Sequence, residues 1–172
     1  MQRPDLLRGL LEAACPHHQP TTESPIQMTA ALTTFLLAAM LILQPGRDHQ
    51  KLAAATASVL ASEPPLFADD DSHIRTAALV VAIQFSESSF RNDIISKTND
   101  GCAMQIHNRP DLAKDAVQCV RVGLKLLRAS VTACPSSPLA NYAGFRCSSP
   151  RGRWISENRL NIAARLLAET AQ

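Results

Sequence analysis

An all-α fold is what this sequence predicts, and three features predict it. Aromatic residues make up 4% of the 172, and there are 6 glycines, whereas a β-sandwich or barrel draws on β-branched and aromatic runs. Alanine and leucine dominate the composition. Apolar positions recur at helical spacing in segments that end at proline, glycine or acidic turns.

The length suits one domain with extensions and a core of its own. Formal net charge is +2, too small to indicate a nucleic-acid partner and compatible with an anionic polymer. The 5 cysteines, Cys15, Cys102, Cys119, Cys134 and Cys147, show no C-x-x-C or Cys/His spacing, so no metal site is expected. Nothing else in the chain indicates a cofactor. Cys134 and Cys147 bracket a loop containing proline and serine. They are either a disulfide, which requires an oxidising compartment, or two small buried hydrophobes. The odd number leaves at least one thiol free.

Residues 1–27 carry Pro4, Pro16, Pro20 and Pro25 and mixed charge. Only Leu6 to Ala14 has helical character, weakened by Gly9, and the segment reads as a mobile arm. Residues 28–43, MTAALTTFLLAAMLIL, are a continuous apolar run. The run is shorter than the roughly 20 residues of a membrane span. It lacks the basic flank and small-residue cleavage site of a signal peptide. Two readings stay open: a buried core helix, or an uncleaved anchor or export signal. Pro45 and Gly46 break the chain. A second helix is predicted over Asp48–Ser62, with Asp48 as its N-cap and Leu52, Ala55, Val59 and Leu60 on one face. It stops before Pro64 and Pro65.

The run Asp69-Asp70-Asp71 lacks the glycine and distal glutamate of an EF-hand loop. Acids before a helix N-terminus complement its dipole, with Ser72 as the expected cap. The third helix, His73–Ser86, has little polar surface and is the expected central, buried helix. Polar residues then run from Arg91 to Asn99, and Asn99-Asp100-Gly101 is a turn signal, so a small irregular hairpin is expected near 96–106. A fourth helix is predicted over Ala113–Thr132. Val117, Val120, Leu124, Leu127 and Val131 lie on its inner side, and Arg121, Lys125 and Arg128 on a solvated face. Leu139 to Phe145 reads as a short helix or turn, and Arg146 to Arg153 as a basic loop. A final helix is predicted over Trp154–Ala168. Trp154, the only tryptophan, is either a sugar-stacking platform or, by preference, a core plug at the helix start. No internal repeat is present.

Glu87 stands out. It follows directly on the central helix, flanked by Ser86, Ser88 and Ser89. The negative end of the helix dipole and apolar surroundings both disfavour a carboxylate and raise its pKa. A glutamate kept protonated near neutral pH is what a general acid requires. The plain alternative is a solvated glutamate at a helix end. Serine and cysteine nucleophile chemistry fits poorly: there is no G-x-S-x-G, and Cys102 has only His107 nearby in sequence.

Three stretches occur in a telling order: Glu87-Ser88-Ser89-Phe90, then Gly101-Cys102-Ala103-Met104-Gln105-Ile106, then Ala140-Asn141-Tyr142. Together they resemble the lytic transglycosylase domain of the lysozyme-like superfamily, over roughly residues 74–168. The resemblance implies an α-dominated lysozyme-like catalytic domain over 47–172. It implies cleavage of the β-1,4 bond between N-acetylmuramic acid and N-acetylglucosamine in peptidoglycan, with Glu87 as the single acid and then base. It also implies that Ser88, Met104, Gln105, Tyr142 and Asn141 bind substrate. The chain departs from the family pattern in two places. Cys102 follows the glycine where leucine is usual. Ala143 follows Tyr142 where asparagine is usual, the nearby asparagine being Asn141 on the other side.

A hydrolytic muramidase would need a second carboxylate to activate water, and Asp100 is the best placed, with Asp93 next. A non-catalytic lysozyme-like module that binds wall or a protein partner is a further alternative. The expected partner is a peptidoglycan glycan strand, with membrane anchoring through residues 28–43 if that run is an anchor. The expected location is the cell envelope or a phage particle.

Overall fold

A computed structural model describes residues 24–69 and 71–171. Among these residues the chain forms five α-helices and no strand: α1 (Pro25–Leu43), α2 (Gln50–Ser62), α3 (Ser72–Ser88), α4 (Ala116–Ala133) and α5 (Pro150–Thr170), with a 3-10 turn over Pro110–Lys114. Two isolated antiparallel bridges, Ile95 with Gly101 and Gly101 with Ile106, stand where the small hairpin was expected.

Three of the five described helices begin at a side-chain cap. Ser24 and Gln27 form a reciprocal capping box, and Pro25 occupies the first turn of α1, where its missing N–H costs nothing. The helix therefore starts inside the segment expected to be an arm, and the rest of that arm lies outside the described residues. At α2 the expected cap is displaced by one residue: His49 is the cap residue, without a side-chain cap bond, and Asp48, just before it, accepts from the backbone N–H of Gln50 at 2.9 Å. At α3 the sequence expectation shifts. Asp71 is the cap residue, without a side-chain cap bond, and Ser72 is the buried first helical residue. Asp69 pairs with Arg75, whose guanidinium also lies over Phe67, 4.7 Å from the ring centroid. Asp115 caps α4 by accepting from Gln118 N–H at 3.0 Å. Ser149 caps α5 by accepting from Gly152 N–H at 3.3 Å. The expected basic loop thus gives up its last turn to α5, because Ser149-Pro150 is a start signal.

The core is built around α3. Every residue from Thr76 to Gln84 is buried, because α1, α2 and α5 all pack on this helix, while α4 closes over α2. Leu32, Leu36, Ala39 and Met40 of α1 join this core, so one face of the apolar run is buried. Its other face is not: Ile26, Leu41 and Ile42 are exposed, and α1 is the one described helix long and apolar enough to cross a membrane. Trp154 is 63% exposed, which corrects the core-plug reading. With α5 starting at Pro150, the buried stripe of this helix is Gly152, Ser156, Arg159, Ala163 and Leu166, and Trp154 falls outside it.

Two disulfides fasten the loops. Cys134 is bonded to Cys147, which resolves the open pairing in favour of the bridge. Cys102 is bonded to Cys119, a pairing the sequence reading did not anticipate. It ties the segment after α3 to α4. Cys15 lies outside the described residues.

Candidate active site

The site is assembled from the end of α3, the loop that follows, the segment between α4 and α5, and the buried face of α5. α3 runs through Ser88, so Glu87 lies within its last turn rather than just beyond the helix. The helix then ends in two left-handed residues, Ser89 (φ 52°) and Phe90 (φ 61°). Asn99, Cys102, Gln105 and Asn108 are left-handed as well. All six non-glycine residues with positive φ among the described residues thus fall in the stretch directly after Glu87. Such conformations cost about 1–3 kcal/mol each and persist where the surroundings enforce them, often at functional sites. Here the enforcement is visible. Phe90 is buried against Phe85 and His49, Cys102 is held by its disulfide, and a Cβ at Gly101 would lie 2.1 Å from the carbonyl oxygen of Arg109.

Ser88 joins helix to loop. Its hydroxyl has the carbonyls of Ala103 (2.9 Å) and Gln84 (3.1 Å) as acceptors for its one proton and accepts from Arg91 N–H (3.1 Å). Buried and so engaged, it shapes the site from beneath. Met104 is fully buried and sits where a side chain at residue 123 would be: a Cβ on Gly123 would approach its sulfur to 2.3 Å. Gln105 is half-buried and turns back on its own loop, donating from Nε2 to the carbonyl of Cys102 at 2.9 Å. Tyr142 is half-buried and donates its hydroxyl to the Met104 carbonyl at 2.8 Å. Its own N–H is held by the Ser130 hydroxyl at 2.9 Å. Asn141 is exposed, and its carbonyl accepts from Gly144 N–H at 3.0 Å.

Glu87 has a partner that the sequence reading missed. Arg159, 7% exposed, donates from Nη2 to Glu87 Oε1, and its guanidinium carbon lies 6.0 Å from the Tyr142 ring centroid. The Glu87 side chain is 22% exposed. Burial pushes its carboxyl above the ordinary glutamate range. The Arg159 charge and hydrogen bond oppose that shift, and the Asp100 charge adds to it. The direction is the one expected from the apolar surroundings. Burial and the charge of Glu87 also push the Tyr142 phenol well above its usual range, with Arg159 opposing. Asp100 behaves oppositely. Thr98 donates to its Oδ2 at 2.6 Å and Ser96 at 3.0 Å, and His107 Nδ1 lies 2.7 Å from Oδ1. These partners, Thr98 first, hold its carboxyl below the ordinary aspartate range.

The structure therefore brings Glu87, Arg159, Tyr142 and the Met104 backbone together, with Ser88 joining Glu87's helix to the adjacent loop and Asp100 within electrostatic reach. The Tyr142 hydroxyl is spent on the Met104 carbonyl, and the side chain bonded to Glu87 is Arg159. Among the described residues no cluster of three or more His, Cys, Asp and Glu is placed to hold a metal ion. No family model, curated protein or solved structure matches the chain.

Proposed function

We propose that this chain is a peptidoglycan lytic transglycosylase that uses Glu87 alone as acid and then base. The observation that carries the reading is a half-buried glutamate in the last turn of a helix buried from Thr76 to Gln84, its carboxyl pushed towards the protonated form by burial. Beside it lies a loop held in strained conformations. The resemblance of the three sequence stretches supplies the substrate. In this reading the Glu87 carboxyl gives its proton to the glycosidic oxygen, and the bond from that oxygen to the muramoyl anomeric carbon breaks. The resulting carboxylate takes the proton of the muramoyl 6-hydroxyl as that oxygen bonds to the anomeric carbon, closing a 1,6-anhydro ring. No second carboxylate is consumed, in contrast to paired-carboxylate glycosidases.

Asp100 supports this choice over a hydrolytic muramidase. A base that activates water needs a free oxygen and appreciable basicity. Both Asp100 oxygens are already engaged, and the group is held more acidic than usual. The proposed substrate lies outside the cytoplasmic membrane, so the proposed location is the cell envelope or a phage particle. The exposed apolar face of α1 offers a means of attachment to the membrane.

The test is digestion of purified peptidoglycan by the full chain, with products read by mass spectrometry and Glu87→Gln as control. Anhydromuropeptides that vanish in the variant are the expected result. Hydrated muropeptides with reducing ends would make the protein a muramidase. No product from the folded chain would leave a wall-binding module.

A further inference from the structure

We infer that Arg159 is a positioning residue for Glu87: its guanidinium fixes one carboxyl oxygen and balances the charge left behind when the acid gives up its proton. The inference rests on the acid–base role proposed above and adds to it a residue that none of the three sequence stretches contains.

Four observations carry it. Arg159 is an arginine in the buried stripe of α5, between Ser156 and Ala163, where an uncompensated charge is strongly disfavoured. Its Nη2 contacts Glu87 Oε1, and the structure gives it no other acidic partner. Its Nη1 is buried and finds no partner among the described residues, so the bond to Glu87 is the one hydrogen bond the guanidinium makes there. Its plane is carried beside Tyr142, whose hydroxyl is fixed by the loop backbone.

The chemistry follows from which oxygen is taken. With Oε1 accepting from Arg159, the proton resides on Oε2, so the carboxyl has one productive orientation. A single carboxyl that serves as acid and then as base must be neither too weak nor too strong in either role. Burial favours the protonated form, Arg159 favours the carboxylate, and the balance decides how readily the proton leaves and returns. The charged or titratable groups facing Glu87 are Arg159 from α5, Asp100 from the loop after α3, and Tyr142 from the segment between α4 and α5. Of these, Arg159 alone is cationic.

The experiment follows the Glu87 carboxyl carbon by NMR through a pH titration of the full chain, as wild type, Arg159→Gln and Arg159→Lys. It measures kcat and KM on peptidoglycan in parallel. For Arg159→Gln the expected result is a higher Glu87 midpoint and a matching upward move of the alkaline limb of kcat/KM. Arg159→Lys keeps the charge and loses the fork, so its midpoint stays near wild type while kcat falls by roughly a hundredfold at unchanged KM. An unmoved Glu87 midpoint in folded Arg159→Gln overturns the inference. If Arg159→Gln alone does not fold, the Glu87→Gln/Arg159→Gln pair, which removes both charges, should fold; a pair that also fails would make Arg159 merely structural. The NMR midpoint needs no turnover. A chain that cleaves nothing but whose midpoint moves refutes the transglycosylase reading alone, and the reverse refutes this inference alone.

Discussion

Glu87 carries opposing demands, and they show in stability as well as in activity. In the unfolded chain its carboxyl titrates near 4.5, and in the fold it titrates higher. Between those two values the folded chain binds more protons than the unfolded one, so stability falls as pH rises through the interval. Glu87→Gln stays neutral at every pH and removes that slope. Urea melts at a series of pH values should show the variant gaining stability relative to wild type as the pH rises above the ordinary glutamate range. Activity on peptidoglycan should meanwhile drop by about 10²- to 10⁴-fold. Glu87 was legible in the sequence because a long apolar helix delivers one acid at its end. Arg159 was not, because apolar spacing draws the inner face of the final helix through Ile155, Leu160, Ile162, Leu166 and Leu167, of which only Leu166 lies on the face that is buried, Gly152, Ser156, Arg159, Ala163 and Leu166. Small and polar residues line that face because α5 packs tightly: a Cβ on Gly152 would meet Ala140 Cβ at 2.9 Å. The available signal was Ser149-Pro150 as a helix start, from which the stripe through Arg159 follows by counting turns.

At the scale of elements, the loop after α3 keeps its strained shape because it is pinned at several points. The disulfide from Cys102 to Cys119 closes a loop with a sequence separation of 17, for which about 3 kcal/mol of stabilisation is expected. The Cys102→Ala/Cys119→Ala variant should lose that amount in urea melts. It should also lose peptidoglycan cleavage at a lower temperature than its helical circular dichroism, because the loop loosens before the helices do. Met104 and Gly123 form a second pin. A methyl at residue 123 overlaps the Met104 side chain, so Gly123→Ala should cost about 1–3 kcal/mol. Combining it with Met104→Ala should cost less than the sum of the two single changes, a coupling that a double-mutant cycle reads directly. Neither pin was visible in the chain. Cysteine spacing does not determine pairing, and a glycine within a helical pattern does not announce which side chain lies over it. The helices themselves were legible from periodicity, with ends displaced where a cap or a first-turn proline decided the start.

At the scale of the whole molecule, α1 decides what counts as the folded unit. Sequence organisation placed the catalytic domain over 47–172 and left the preceding apolar run as either anchor or core helix. The structure gives that run a buried face: Leu32, Leu36, Ala39 and Met40 are each at most 1% exposed, and they lie against α2 and α3. Drawing α1 out of the fold, whether by truncation or by threading it across a bilayer, would uncover the surfaces of α2 and α3 on which it packs. The apolar run was ambiguous in sequence because it carries hydrophobic residues on every side, and only the packing separates the face held by the core from the face bearing Ile26, Leu41 and Ile42. Leu36→Ala in the full chain should therefore cost about 2–5 kcal/mol. A chain restricted to residues 47–172 should lack a cooperative urea transition and bind a hydrophobic dye, since the core faces of α2 and α3 would be open to water. A cooperative melt from residues 47–172, as steep and as late as that of the full chain, would instead make α1 an attachment laid against a finished domain.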